Sequence, residues 1–121
     1  MQYLLLLYSD ETRWPELTPA ERDRWMAAYQ AYAEALQSAG ALRGSHRLAP
    51  SARAATVRIT DRGTRVLDGP YAESKEQLGG YFLIDVPDFE AALSWAARCP
   101  SASHGAVEVR PLWRDATAAP R

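Results

Sequence analysis

The chain has 121 residues, 47% hydrophobic and 24% charged, which fits one folded domain with a single core and leaves too little for two. A net charge of −1 offers no attraction for phosphate backbones or anionic lipid, so neither nucleic acid nor a membrane surface is an expected partner. The one cysteine, Cys99, has no internal disulfide partner and the two histidines stand far apart, which excludes zinc-type spacing and predicts a buried, inert thiol beside a helix end.

Tyr3-Leu4-Leu5-Leu6-Leu7-Tyr8 is continuously apolar apart from its hydroxyls, the pattern of a strand covered on both faces. The run is too short to span a bilayer and lacks a basic leader or cleavage site, so a cytoplasmic location is expected. Thr18-Pro19-Ala20-Glu21 combines an N-cap threonine, a proline at the first helical position and a glutamate three residues on, a capping box. The helix it opens runs over about 19–38, with Trp25, Ala28, Tyr29, Tyr32 and Leu36 on one face as core and Gly40 as its stop. Residues 41–48 form a short strand. Residues 55–60 alternate, Asp61-Arg62-Gly63 turns, and 64–67 returns, predicting a hairpin. Residues 80–86 form a strong strand, Asp88 caps a helix over 89–98, Pro100 ends it, and a last strand runs from Ala106 to Trp113.

This order predicts an α+β sandwich of ferredoxin-like βαββαβ topology, with both helices on one sheet face and an inserted β-hairpin. The opposite face then mixes large apolar groups with isolated charges: Tyr81, Leu83 and Asp85 on one strand, Glu108, Arg110 and Leu112 on another. A sheet packed on its twin around a partly polar cavity has this composition, so a homodimer is expected.

The segments DGPYAESKEQLGGYFLIDV and WAARCPSASHGAVEVRPLW closely resemble the DGPF group of the YCII-related family, and the resemblance extends from the opening YLLLLYSDE to Trp113. It implies one YCII-related domain over residues 1–115, folded as a dimeric α+β barrel; the residues after the last strand read on their own as a frayed tail at 116–121. Members of the family are largely uncharacterised. Their genes often lie beside those of extracytoplasmic-function sigma factors, and a pocket with a His–Asp pair has been taken to indicate enzymatic activity in YCII-like relatives. Where those relatives have the histidine, this chain has Glu21, Arg22 and Asp23, and Tyr71 stands in place of the motif's phenylalanine.

Asp68 has two readings: a turn residue within Asp68-Gly69-Pro70, or a carboxylate at a cavity rim acting as general base or ligand anchor. Glu73, Lys75 and Glu76 fit one short helical turn, either solvated or with Glu73 or Lys75 fixing a polar ligand. Gly79 and Gly80 suit close backbone approach at the strand entrance. His46 adds an imidazole beside Arg47, a group suited to proton transfer near neutrality, and His104 in a loop is a weaker candidate.

The acid–base candidates are therefore Asp68, His46 and Glu108, and the binding candidates Glu73, Lys75, Tyr81, Asp85 and Arg110. With no serine-nucleophile motif, dinucleotide loop or metal cluster, no cofactor or metal is expected. The function so read is binding or acid–base processing of a small polar metabolite between two sheets; this predicts carboxylates held above their ordinary pKa range and a cavity larger than a few waters. The alternative is a non-catalytic interaction module linked to a sigma factor.

Overall fold

A computed structural model describes residues 1–113; the tail expected at 116–121 lies outside them. The opening run forms β1 (Gln2–Ser9), in which Tyr3, Leu5 and Leu7 are buried and Leu4, Leu6 and Tyr8 are half-buried on the opposite face. A single turn of 3-10 helix at Glu11–Arg13 leads into α1 (Pro19–Ser38). The capping box forms as its sequence requires: the Glu21 amide donates to the Thr18 hydroxyl at 3.2 Å, and the Thr18 amide donates to the Glu21 carboxylate at 2.8 Å. Such a cap contributes about 1 kcal/mol.

β2 (Leu42–Arg47) follows, then a second 3-10 turn at Ser51–Arg53 and the hairpin strands β3 (Ala55–Thr60) and β4 (Gly63–Asp68). β5 (Gln77–Asp85), α2 (Phe89–Arg98), the one-turn α3 (Ser101–His104) and β6 (Ala106–Pro111) complete the described chain. The four-stranded sheet has the order β2-β5-β1-β6, antiparallel throughout, which is the ferredoxin-like arrangement; β3 and β4 pair with each other as a separate ribbon.

Three boundaries differ from the sequence reading. β5 begins at Gln77 rather than residue 80, because a bulge absorbs Gly79: Leu7 pairs with Gly80 while Tyr8 pairs with Leu78. β6 ends at Pro111 rather than Trp113, since proline has no N–H for the ladder, although the Leu112 amide still reaches the Gln2 carbonyl at 3.1 Å. Pro100 does end α2, but it also starts α3 where a loop was expected.

The core lies between the sheet and the helices. Leu5, Leu36, Ile84 and Ala92 are fully buried, and each leucine or isoleucine contributes roughly 1.5–3 kcal/mol. Tyr32 reaches the core from α1, stands edge-on to Phe82 at 5.1 Å and donates its hydroxyl to the Trp95 carbonyl at 2.7 Å; burial pushes the pKa of that hydroxyl far up. Of the expected α1 stripe, Tyr32 and Leu36 are core and Tyr29 packs half-buried against it, while Trp25 is half-buried outside the core cluster. Cys99 is buried at the end of α2, and burial likewise raises its thiol pKa, which keeps it inert. Among the described residues no helix is long and apolar enough to cross a membrane.

His104 closes the gap between α3 and α1. The Tyr29 hydroxyl lies 3.0 Å from its Nε2 and 2.6 Å from the Ser101 hydroxyl, and Trp25 meets the imidazole edge-on at 4.3 Å. Burial first, then the nearby Arg13 cation, lowers its pKa from the ordinary 6.5. The unfolded chain therefore binds a proton that the folded chain resists, and stability falls as pH drops below 6.5. The carboxylates of Asp10, Glu21 and Asp85, also lowered, add further losses only below their ordinary values of 3.8, 4.5 and 3.8.

Melting temperature followed from neutral to mildly acid pH should fall for the wild type and fall much less for His104→Asn; equal slopes would remove the assignment. A second expectation concerns the glycine pair. A Cβ on Gly80 would sit 2.8 Å from the His46 carbonyl oxygen of the neighbouring strand, whereas one on Gly79 meets nothing nearer than 3.9 Å. Gly80→Ala should cost about 1–3 kcal/mol in urea denaturation through overpacking. Gly79→Ala should be close to neutral.

Candidate functional site

At the C-terminal end of β1 the chain leaves the sheet at Asp10, whose carboxylate caps the following 3-10 turn by accepting from the Thr12 amide at 3.1 Å and the Thr12 hydroxyl at 2.5 Å. Glu11, next in line, projects from that turn to the second one, where its carboxylate accepts from the Ser51 amide at 3.0 Å and from the Ser51 hydroxyl. One acidic residue thus shapes its own turn and the other ties it to the segment before the hairpin.

The signature loop arrives from the other side. Gly69 opens it at φ +102°, a left-handed conformation that side-chain-bearing residues rarely adopt. Its far end is held by Gln77, the first residue of β5, whose side-chain amide donates to the carbonyls of Ala72 (3.0 Å) and Ser74. The clamp replaces the helical turn expected over Glu73–Glu76, because a side chain satisfies loop carbonyls that a helix would otherwise pair. Ser74 and Lys75 are thereby turned toward Asp10, and the Lys75 ammonium lies 3.9 Å from its Oδ2.

Between these segments is a surface cleft of about 370 Å³ lined by Asp10, Glu11, Thr12, Ser51, Ser74, Lys75 and Gln77. Every lining residue is polar. The Thr12 hydrogen bonds are the largest cause lowering the Asp10 pKa, with Lys75 and Arg13 adding to it, so Asp10 is a fixed anion suited to accepting a ligand's hydrogen bond and unsuited to donating a proton. Lys75 is highly exposed and keeps its donors available. The expectation of carboxylates held above their ordinary range fails at the candidate Asp85, and Asp10, which the sequence did not single out, is lowered too: direct hydrogen bonds stabilise the charged form of each.

Of the residues singled out from the sequence, Lys75 alone lines this cleft. Asp68 ends β4 at the exposed base of the hairpin, and Glu73 is exposed in the loop. The other candidates lie on the sheet face away from the helices. One row across the sheet reads His46, Tyr81, Leu6, Glu108; the next reads Gly44, Leu83, Leu4, Arg110. The His46 and Tyr81 rings are 5.8 Å apart, and Tyr8 donates to Glu108 at 3.2 Å. His46 and Glu108 occupy opposite edges of the sheet, three strand spacings or roughly 14 Å apart, so within one chain they do not form an acid–base pair. Asp85 is held by the Met1 amino group at 2.8 Å and lies 3.7 Å from Arg43. A second surface cleft, of about 420 Å³ and mostly apolar, opens at the other end of β1 beside Met1, Tyr3 and Phe89, and contains none of the candidates.

Asp10, Glu11, Thr12, Ser51, Ser74 and Gln77 were not reached by the sequence reading. Asp10, standing at a strand end two residues before a threonine, has the local pattern of a cap; the Glu11–Ser51 and Gln77 contacts have no periodic signal.

Residues 1–115 match the YCII-related domain. An uncharacterised protein of Rhizobium meliloti (strain 1021) is 40% identical over 114 residues, covering 93% of this chain and 92% of its own. Among solved structures, 5-chloro-2-hydroxyhydroquinone dehydrochlorinase from Burkholderia phenoliruptrix AC1100, in complex with 2,5-dihydroxybenzoquinone, superposes with a TM-score of 0.56 at 14% identity over 97% of each chain. At that identity the likeness is one of fold.

Proposed function

The chain belongs to the YCII-related domain family, and from that footing we propose that it is a homodimeric protein that takes a small hydroxylated anion in the Asp10–Lys75 cleft. The observation that carries this reading is the cleft itself: three segments distant in sequence converge to line about 370 Å³ with polar side chains alone. That volume falls within the range of metabolite sites. Lys75 supplies a cation for an acidic group, and the ionised Asp10 accepts from a hydroxyl. The 2,5-dihydroxybenzoquinone bound by the dehydrochlorinase of similar fold is a small hydroxylated molecule and supports the ligand class.

The homodimer is supported by the anatomy of the open sheet face. Leu4, Leu6, Tyr81 and Leu83 form an apolar centre, with His46, Glu108 and Arg110 toward its margins, the core-and-rim composition of a protein interface.

Thermal shift and native mass spectrometry with 2,5-dihydroxybenzoquinone and simple hydroxy acids test the cleft. At least one should bind the wild type, and Lys75→Ala should weaken it about tenfold to a hundredfold, the worth of a charged hydrogen bond. Asp68→Asn should bind like the wild type. Absence of binding by the whole set, or full affinity in Lys75→Ala, would sink the reading. A second reading, an interaction module linked to a sigma factor, is favoured by the exposure of Asp68 and Glu73 away from the cleft. It requires that a purified sigma factor bind the wild type and lose affinity for the double charge reversal Asp68→Lys, Glu73→Lys.

A further inference from the structure

The β3–β4 ribbon is amphipathic, and its apolar side is uncovered. Val57 pairs directly with Val66 and Ile59 with Thr64, so the four share one face. Val57 is 60%, Val66 63% and Ile59 83% exposed. The other face sets Arg58 opposite Arg65, with the Arg58 guanidinium 5.1 Å over the Tyr71 ring and donating to its hydroxyl at 3.0 Å. A lone two-stranded ribbon is marginal in water, and exposing β-branched residues removes the burial that would hold it.

We propose that the ribbon is an arm that lays Val57, Ile59 and Val66 against a second copy of this chain, and that this contact steadies the cleft. The proposal rests on the homodimer reading above and adds to it. Area argues for the second copy. Four strands about 4.8 Å apart and six residues long give the open sheet face a footprint of roughly 400 Å², and a stable interface grows with the area each partner can cover. The ribbon offers roughly 200 Å² more on the same strand spacings.

Charge argues the same way. The ribbon, residues 55–68, holds three arginines and two aspartates, so it carries +1 in a chain of net charge −1, and the remainder is −2. The arm of one copy is therefore drawn to the body of another. Position supplies the link to the cleft. Ser51, in the 3-10 turn just before β3, and Ser74 and Lys75, in the loop after β4, are cleft walls, so fixing the arm fixes both.

Sedimentation velocity over a dilution series separates the possibilities. The wild type should run at twice 13.4 kDa. Val57→Thr, Ile59→Thr and Val66→Thr together, which keep strand-forming side chains, should raise the dimer dissociation constant about tenfold or more, as loss of a buried apolar anchor does. Leu83→Glu, on the open sheet face, should abolish the dimer. A monomeric wild type overturns both the homodimer and the arm. Dissociation by Leu83→Glu with full dimer strength in the triple threonine variant overturns the arm and leaves the homodimer standing. Amide exchange over residues 55–68 gives an independent readout: protection should rise with protein concentration, and exchange that ignores concentration overturns the proposal. Affinity of the triple variant for whichever of 2,5-dihydroxybenzoquinone and the simple hydroxy acids binds the wild type, measured below the variant's dimer dissociation constant, should fall while Lys75 is intact, which distinguishes a missing arm from a misassigned cleft.

Discussion

A central strand that is apolar on both faces sets the terms for everything else in this protein. β1 is hydrogen-bonded to β5 on one side and β6 on the other, so its backbone is satisfied within the sheet, but Tyr3, Leu5, Leu7 and Leu4, Leu6, Tyr8 turn opposite ways and each set needs cover. The helices cover the first set. Among the described residues nothing covers the second, which leaves a half-apolar sheet face whose edges carry His46 on one side and Glu108 with Arg110 on the other. Because β1 is central, the loop that leaves its C-terminal end is flanked by segments from elsewhere in the chain. The cleft arises where Asp10 and Glu11, the first residues free of the sheet, meet the 51–53 turn and the loop entering β5.

The fold was legible because it is written in local codes. The Thr18–Glu21 box, the Asp88 cap and the two-residue turn before Gly63 are short-range hydrogen-bonding and conformational patterns that a sequence displays directly, and the alternation that puts Tyr81, Leu83 and Asp85 on the open face leaves Phe82 and Ile84 of β5 for the core, where both are buried. The cleft was mostly illegible for the opposite reason. Its walls are positioned by long-range or irregular side-chain-to-backbone bonds, Glu11 to Ser51 and Gln77 to the loop carbonyls, which have neither period nor fixed spacing. Lys75 was found because it stands in the conspicuous signature run, whereas Asp68 in the same run closes a hairpin. His46 and Glu108 were separate acid–base candidates, and strand order puts them on opposite edges, a fact that depends on topology rather than on residue type.

The electrostatics of the cleft favour holding over reacting. A general acid or base near neutrality needs a pKa moved toward the working pH, usually by burial or a like charge. Asp10 is moved the other way, by two hydrogen bonds from Thr12 and by neighbouring cations. The resemblance in fold to a dehydrochlorinase does not alter this, because a scaffold hosts many chemistries and the reacting groups belong to the site.

The arginine pair on the ribbon has a bearing on solubility. A projecting two-stranded ribbon leaves backbone donors and acceptors along both outer edges, and with Ile59 and Val66 uncovered it has the makings of a nucleus for open-ended strand addition. Arg58 directly opposite Arg65 weakens the ribbon slightly, since like charges across a strand pair repel. The same repulsion multiplies when ribbons stack in register, each new strand bringing another guanidinium beside the last. A closed pair of molecules would escape that accumulation and a growing fibre would not, so the mismatch that looks wasteful in one chain disfavours open-ended strand addition.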